Sequence, residues 1–174
     1  KDFIHWDIDN KFLKSKKNYT YQSPHVYLKK NIFLFYSRNK KDIWLDIMNK
    51  RFQLIKTKKI LSSSLKNEKL SIYSPSIVSF LNCYLMFYSG WSNKNRGNIN
   101  LAYSKNLIKW KKIDFDLFQT DNKLTIISEP YVFKFKDKLI IFVEYKNYSG
   151  WDLGYFSFNI KDIFEKINKN LNRK

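Results

Sequence analysis

Three residues stand directly before the only prolines of the chain, and their side chains are the first candidates for chemistry. They are Ser23, Ser74 and Glu129, and each opens a similar phrase. A carboxylate can donate or accept a proton, whereas a serine hydroxyl has no useful basicity at neutral pH unless an activating base lies beside it. Of these equivalent positions, Glu129 is therefore the one that offers acid–base chemistry.

The prolines belong to a repeat that must position these residues. They occupy positions 24, 75 and 130, and an apolar run follows each, at residues 32–37, 84–89 and 139–144. A repeat of roughly 50 residues made of short apolar strands is typical of propeller blades. The sequence therefore predicts an all-β fold, a β-propeller of four-stranded antiparallel blades, of which about three are present.

Each unit of the repeat divides into short strands joined by turns. The predicted strands are 26–28, 32–37, 43–48 and 52–55, then 77–80, 84–89, 98–104 and 109–113, then 131–135, 139–145 and 153–158. Residues 90–97 are rich in turn formers, which predicts a loop. A short C-terminal helix replaces the last strand of the third unit, with Asn159 as candidate N-cap. Apolar residues then fall near helical spacing, at Ile163, Phe164, Ile167 and Leu171.

The repeat organises residues 1–174 as a single propeller domain or a fragment of one. The blades are expected at about 20–60, 72–115 and 127–160, with a helical tail at 161–174. Residues 3–7 resemble residues 107–111, so they are interpreted as the outer strand of a preceding blade. Three blades do not close a ring easily, and an open ring exposes strand edges and apolar faces. Either missing blades of a longer protein, or self-association together with the helix, are expected to cover the open side.

The chain is strongly basic, with a formal net charge of +18 and a pI of about 9.8. Such a charge attracts anionic partners, among them nucleic acids, anionic glycans and membrane surfaces. The alternative is coding bias, because lysine supplies nearly all of the positive charge and asparagine is also frequent. Sequence-specific readers of nucleic acids use arginine for bidentate contacts to guanine, and arginine is scarce here. A nucleic-acid partner is therefore not expected.

Several classes of site and location are disfavoured by what the sequence lacks. No apolar run approaches the ~20 residues that span a bilayer, so no membrane span is expected. The single cysteine, Cys83, lies in an apolar run and is expected to be a small buried hydrophobe. With one cysteine and no visible signal peptide, a cytoplasmic location is favoured, although a chain that begins at Lys1 could have lost a leader. Without a cysteine pair, a histidine cluster or a glycine-rich phosphate loop, neither a metal nor a cofactor is predicted.

The second unit carries the most specific resemblance to a known family. Its phrases are Ser-Pro-Ser-Ile-Val, then Tyr-Leu-Met-Phe-Tyr-Ser-Gly-Trp, then Gly-Asn-Ile-Asn-Leu-Ala-Tyr-Ser-Lys-Asn and Ile-Lys-Trp-Lys-Lys. These resemble the blades of the five-bladed β-propeller glycosidases, which include glycoside hydrolase families 43 and 32 and the mannoside phosphorylases of family 130. The resemblance runs from about Phe3 to Phe158, and it implies that the chain is part of a five-bladed propeller.

The resemblance also implies a chemistry for the residues before the prolines. In that family the innermost strand of each blade begins near an acidic residue followed by proline, facing a pocket on the ring axis, and a glutamate is the general acid. Glu129 matches that glutamate, which implies a catalytic role on a glycoside. Hydrolysis needs a second carboxylate as well, and Ser23 and Ser74 stand where the family would offer aspartates. The alternative is therefore a catalytically inactive sugar-binding or scaffold propeller.

Other side chains have a logic of substrate binding. Trp91 and Trp151 follow matching Tyr-Ser-Gly phrases, and a tryptophan in an exposed loop offers a flat face on which a sugar ring can stack; packing between blades is the alternative. The remaining candidates are polar residues near the expected pocket: Ser23, His25, Arg38, Ser74, Glu144 and Asp152. Each also has a purely structural interpretation, as a core or surface histidine, a solvated arginine, a strand end or a loop carboxylate.

Overall fold

The computed structural model describes residues 20–113 and 126–171. Over these residues the strands are β1 Tyr21–Leu28, β2 Ile32–Arg38, β3 Asp42–Met48, β4 Leu54–Ser62, β5 Ser71–Phe80, β6 Cys83–Asn93, β7 Arg96–Ser104, β8 Lys111–Ile113, β9 Ile126–Phe135, β10 Lys138–Asn147 and β11 Gly150–Asn159. A short 3-10 turn, Lys66–Glu68, precedes β5, and helix α1, Ile160–Leu171, follows β11. The prediction of a mostly β chain with a short C-terminal helix is confirmed. The outer strand interpreted at residues 3–7 lies outside the described residues.

The strands form successive antiparallel units in chain order. Strands β1 to β4 make one four-stranded sheet with neighbouring strands paired. Strands β5 to β8 make the next such unit, and β9 to β11 the third. The second and third units touch through one parallel pair, between Gly97 and Ile126. We call these sheets units 1, 2 and 3.

Two local predictions were wrong in instructive ways. Residues 90–97 do not form a loop, because β6 and β7 continue as a paired hairpin that turns only at Lys94 and Asn95. The side chain of Asn93 accepts a hydrogen bond from the N–H of Asn95 at 2.8 Å, which closes this turn. Strand β4 was predicted at residues 52–55, but it runs as Leu54–Ser62.

The helix follows the last strand without an intervening loop. The side-chain amide of Asn159 donates to the Asp162 carboxylate at 3.3 Å, across the first turn of the helix. Ile163 and Ile167 are buried against the core, as their spacing predicts, while Phe164 is largely exposed. No helix in the described part of the chain is long and apolar enough to cross a membrane.

The core lies between the units, because the central strand of unit 2 is buried on both faces. In β6, Met86 and Tyr88 pack toward unit 1, whereas Leu85 and Phe87 pack toward unit 3. A strand with two buried faces has a continuous apolar run rather than an alternating pattern, as the sequence Tyr-Leu-Met-Phe-Tyr has. The units therefore stack face to face, and α1 covers one end of the interface between units 2 and 3.

Polar contacts also connect the units at equivalent positions. The N–H of Ile77 donates to Nε2 of His25 at 3.3 Å, and the N–H of Val132 donates to Oγ of Ser76 at 2.9 Å. In both pairs the acceptor is the side chain of the residue directly after a proline. The donor is the main-chain N–H two residues after the next proline along the chain. Tyr131 holds the corresponding position in unit 3, where it is 60% exposed.

One face of unit 3 is open to solvent. Phe35, Phe87 and Phe142 are equivalent, because each pairs with the residue directly after a proline. Phe35 and Phe87 are both 0% exposed, whereas Phe142 is 47% exposed. Its ring stacks on Phe133 with centroids 6.0 Å apart. The faces of units 1 and 2 that carry Phe35 and Phe87 are covered by the following unit. The face of unit 3 that carries Phe142 is apolar too, but no described unit covers it.

Candidate functional site

The three pre-proline residues share an unusual backbone conformation. Their φ angles are 50° at Ser23, 52° at Ser74 and 50° at Glu129, in the left-handed region that non-glycine residues rarely occupy. Each lies where the register of the sheet shifts. Proline has no N–H to donate to a neighbouring strand, so within a sheet it is tolerated at a β-bulge. Backbone strain of this kind clusters at functional sites, and here it aims three side chains in equivalent directions.

The structure brings these side chains together around one carboxylate. Oγ of Ser74 donates a hydrogen bond to Oε2 of Glu129. Ser23 also interacts with the Glu129 carboxylate through a side-chain hydrogen bond. The N–H of Glu129 donates to Oγ of Ser89 at 2.9 Å, which fixes the backbone of Glu129 against β6. Residues from all three units therefore hold Glu129 in place.

The surroundings of Glu129 favour its protonated form. Burial raises the pKa of the Glu129 carboxyl, and the negative charge of Glu144 raises it further. Hydrogen bonds from Ser74 and Ser23 and the positive charge of Lys40 act in the opposite direction, and the net result is a raised pKa. A carboxyl group that keeps its proton closer to neutral pH can deliver that proton to a leaving oxygen.

Glu144 is the second acidic group of this region. It lies in β10 directly opposite Ser128, the residue that precedes Glu129. Its position corresponds to Ser37 and Ser89 in the other units, which are both buried, but Glu144 itself is exposed. A half-buried carboxyl and an exposed one on neighbouring strands form an asymmetric pair, and such asymmetry separates the tasks of acid and base.

Tyr73 and Lys40 complete the cluster, although the sequence did not single them out. Tyr73 precedes Ser74 in β5, and its pKa is raised to about 12 by burial and by the charge of Glu129. The Nζ of Lys40 lies 5.5 Å from the centre of the Tyr73 ring. The signal for Tyr73 was its place beside a pre-proline residue. The signal for Ser89 was its recurrence as the Tyr-Ser ending of a strand.

The two tryptophans proposed for sugar stacking lie in strands, not in exposed loops. Trp91 is a half-buried residue of β6, and its ring packs on Tyr73 with centroids 6.3 Å apart. It is therefore next to the Glu129 cluster. Trp151 is the second residue of β11, 53% exposed, and it pairs with Lys146. The expected placement in exposed loops was wrong, because each Ser-Gly-Trp phrase belongs to a paired hairpin. Composition rich in turn-forming residues does not reveal such pairing.

Three further candidates make other contacts. His25 accepts from the N–H of Ile77, and burial lowers the pKa of its imidazole, so the neutral ring joins units 1 and 2. The Arg38 guanidinium lies 4.5 Å from the ring centre of Trp44, a cation–π contact. Asp152 is exposed and accepts from the Tyr145 hydroxyl at 3.2 Å. None of these three contacts involves the carboxylate of Glu129.

The carboxylate of Glu68 is fully buried and is held by neighbouring side chains. It is 0% exposed and accepts from the Tyr88 hydroxyl at 2.7 Å and from the Asn100 amide at 3.0 Å. It also forms an ion pair with Lys112. Burial acts to raise the pKa of Glu68, but the hydrogen bonds from Leu65, Lys112 and other donors outweigh it and lower the pKa. Glu68 therefore stays ionised and fully paired.

Metal ligation has no support in the described residues 20–113 and 126–171. Within them, no three His, Cys, Asp or Glu side chains come together in a way that could hold a metal ion. The cluster itself offers a carboxyl with a raised pKa, a second acidic side chain, hydroxyls and an aromatic face.

Comparison with known proteins identifies the fold but not the activity. No protein-family model matches the sequence, and no curated protein matches it either. A solved α-L-arabinofuranosidase from Lactobacillus brevis is similar, with a TM-score of 0.70 at 10% identity over 86% of this chain and 51% of that chain. The GH32 β-fructofuranosidase of Bombyx mori has a TM-score of 0.63 at 16% identity, over 83% of this chain and 35% of that one.

A family 117 glycoside hydrolase from the marine bacterium Zobellia galactanivorans is also similar, with a TM-score of 0.63 at 11% identity over 87% of this chain and 55% of that chain. The chain thus spans between about a third and just over half of these proteins. At such identities the likeness is one of fold. At that level the resemblance to propeller glycosidases is confirmed.

Proposed function

We propose that this chain provides part of a carbohydrate-binding pocket on a propeller axis, with Glu129 as the proton-donating carboxyl of a glycosidase-like site. The observation that carries the proposal is the convergence of Ser23, Ser74 and Glu129 from three units onto one carboxyl with a raised pKa. Glycosidic cleavage needs an acid that is still protonated at the working pH. The fold shared with propeller glycosidases supports a glycoside as the substrate class.

The other residues of the cluster take binding roles in this proposal. Trp91 and Tyr73 offer an apolar aromatic surface for a sugar ring, and Ser23 and Ser74 bond hydroxyls as well as the Glu129 carboxyl. Glu144 is the candidate for the ionised second carboxylate, because it is exposed and its charge acts on Glu129. The three units then serve as three blades of a ring that further blades complete.

Replacement of the acid tests this function. The wild-type chain and Glu129→Gln are assayed on sucrose, 4-nitrophenyl α-L-arabinofuranoside and 4-nitrophenyl β-galactoside. We expect Glu129→Gln to lose turnover by about 100-fold or more, because general acid catalysis contributes on the order of 10²–10⁴, while sugar binding persists. Glu165→Gln, an exposed carboxylate on α1, is the matched control. Turnover that survives in Glu129→Gln overturns the assignment.

A second function is favoured by the serines at positions 23 and 74. In it, the chain binds sugar without cleaving it, since two of the three pre-proline positions carry no acid. Calorimetric binding of these sugars by a wild-type chain that turns over none of them supports this version. Turnover that depends on Glu129 excludes it.

A further inference from the structure

A cleft of about 310 Å³ opens beside unit 2, and Glu129 is not among the residues that line it. It lies between the 3-10 turn Lys66–Glu68 and the outer part of the β6–β7 hairpin. The residues that line it are five polar or charged ones and one glycine: Lys66, Asn67, Gly90, Ser92, Arg96 and Asn98. None of these residues belongs to the pre-proline cluster.

The floor of the cleft is held in place by a network of hydrogen bonds. The side-chain amide of Asn67 donates to Oδ1 of Asn100 at 2.6 Å, and the amide of Asn100 donates to Glu68 at 3.0 Å. Glu68 is itself fixed by Tyr88 and Lys112. The amide group of Asn67 is therefore oriented before any ligand arrives, which reduces the entropy cost of binding.

Gly90 keeps this floor open. A Cβ atom at position 90 would lie 2.3 Å from Nδ2 of Asn100, a distance that non-bonded atoms do not reach. A larger residue would therefore displace Asn100 and disconnect Asn67 from Glu68. The glycine gives the cleft both its depth and its rigid base.

The rim of the cleft carries positive charge without compensation. Lys66 and Arg96 are both exposed, and among the described residues no carboxylate lies within salt-bridge distance of either. The nearby Glu68 is buried and paired with Lys112. Two such cations attract an anion, and the guanidinium fork of Arg96 can hold a carboxylate or sulfate through two parallel hydrogen bonds.

We propose that this cleft binds a sugar unit that carries a carboxylate or a sulfate group. The cations of Lys66 and Arg96 recognise the anionic group. Asn67 and Asn98 present both donors and acceptors, which match sugar hydroxyls better than a bare inorganic anion. The site does not depend on catalysis by Glu129. In this proposal, two of the basic residues behind the net charge of +18 bind a specific ligand.

The test is a titration of the ¹⁵N-labelled full chain followed by NMR. The probes are glucuronate, glucose 6-sulfate, glucose and inorganic sulfate, at equal ionic strength. We expect the two anionic sugars to shift the backbone signals of Gly90 and Ser92 and the side-chain amides of Asn67 and Asn98, with saturation. Glucose and inorganic sulfate should bind weaker by about tenfold or more, which corresponds to about 1.4 kcal/mol. The better anionic sugar identifies the group preferred.

Variants separate the cleft from the general charge of the protein. The double variant Lys66→Gln, Arg96→Gln should lose binding of the anionic sugars. Lys94→Gln, on the same hairpin but outside the cleft, should keep it. Glu129→Gln should also keep it, so a failure of the catalytic proposal leaves this result unaffected.

Four outcomes overturn the inference. Inorganic sulfate that binds as tightly as glucuronate indicates a bare-anion site, and glucose that binds as tightly removes any role for charge. An equal loss in Lys94→Gln indicates attraction by the whole basic surface. Signal shifts that avoid the cleft altogether place the ligand elsewhere.

Discussion

At the scale of single residues, opposing influences set the proton affinity of Glu129. Burial and the charge of Glu144 raise the pKa of its carboxyl, while the Ser74 hydroxyl, which donates to the ionised form, lowers it. The serine is thus a tuning group as well as a contact. Because hydrogen bonds to a carboxylate favour its charged form, their removal has a definite sign.

Ser74→Ala should therefore raise the pKa of Glu129 further. The variant loses a donor that stabilises the carboxylate and leaves burial unchanged. The side-chain carbon signal of Glu129, followed by NMR over a pH titration, gives the direction of the change. Ser79→Ala, at an exposed position of the same strand, should leave the titration where it was. A downward shift in Ser74→Ala would contradict the described hydrogen bond.

The Glu68–Lys112 pair makes a separate prediction about stability. Lys112→Met leaves the buried Glu68 carboxylate without its cation, and breaking a buried pair in this way costs about 3–5 kcal/mol. Lys111→Met changes the neighbouring exposed lysine and should cost less than about 0.5 kcal/mol. Urea denaturation of both variants measures the difference. Equal free energies of unfolding would show that the pair does not contribute.

The sequence predicted one of these sites and not the other, for a physical reason. Ser23, Ser74 and Glu129 could be found because each stands before a proline, so a local signal marks a tertiary position. Glu68 is separated from Lys112 by 44 positions and from Asn100 by 32. No local pattern connects them, since their contact depends on how the turn before β5 folds onto β6, β7 and β8.

At the scale of strands, the register across units depends on side chains that accept main-chain N–H groups. Ser76 and Val132 are both buried, so the bond between them has no water to replace it. A buried N–H that loses its acceptor costs more than the bond itself contributes. The positions after the first two prolines are therefore part of the framework, whatever their role toward a ligand.

Ser76→Ala should destabilise the protein by about 1–3 kcal/mol, because the N–H of Val132 is left unsatisfied. Amide hydrogen exchange at Val132 should become faster than at neighbouring residues of β9. The exposed Ser79→Ala serves as the control and should change the free energy of unfolding by less than about 0.5 kcal/mol. Equal effects of the two substitutions would mean that the inter-unit bond contributes nothing.

Strands with runs of apolar residues could be predicted from the sequence. Strands that are formed by backbone hydrogen bonds but expose polar side chains were missed. Strand β6 has a continuous apolar run, and its prediction agreed with the structure in its core. Strand β4 is mostly exposed and rich in lysine, which hides it from a search for apolar periodicity. Lysines on an edge strand hinder pairing with other chains, so the feature that obscured β4 has a physical use.

At the scale of the whole molecule, equivalent positions differ only in what covers them. Phe35 and Phe87 are enclosed between units, whereas Phe142 faces solvent on the open side of unit 3. The repeat in the sequence predicts the equivalence, because it fixes strand order and facing. It does not predict exposure, which depends on what packs against each unit.

Substitution at these equivalent positions should separate packing from exposure. Phe87→Ala should cost about 3–5 kcal/mol, the range for a buried aromatic residue. Phe142→Ala should cost about 1 kcal/mol or less, because half of its surface is already exposed. Chemical denaturation of both variants at the same protein concentration provides the comparison. A cost at Phe142 that equals the cost at Phe87 would show that the open face is covered in solution.

The hydrogen bonds between units give the array a direction. Unit 1 supplies the acceptor His25 to unit 2, and unit 2 supplies the acceptor Ser76 to unit 3, so in both of these bonds the later unit donates the main-chain N–H. Such contacts are head-to-tail, in the manner of heterologous subunit interfaces. If two copies paired through their unit 3 faces by a two-fold axis, identical surfaces would meet, and the head-to-tail hydrogen bonds seen between the units would not form. A further unit bonded in the same way would donate a main-chain N–H to the side chain of Tyr131.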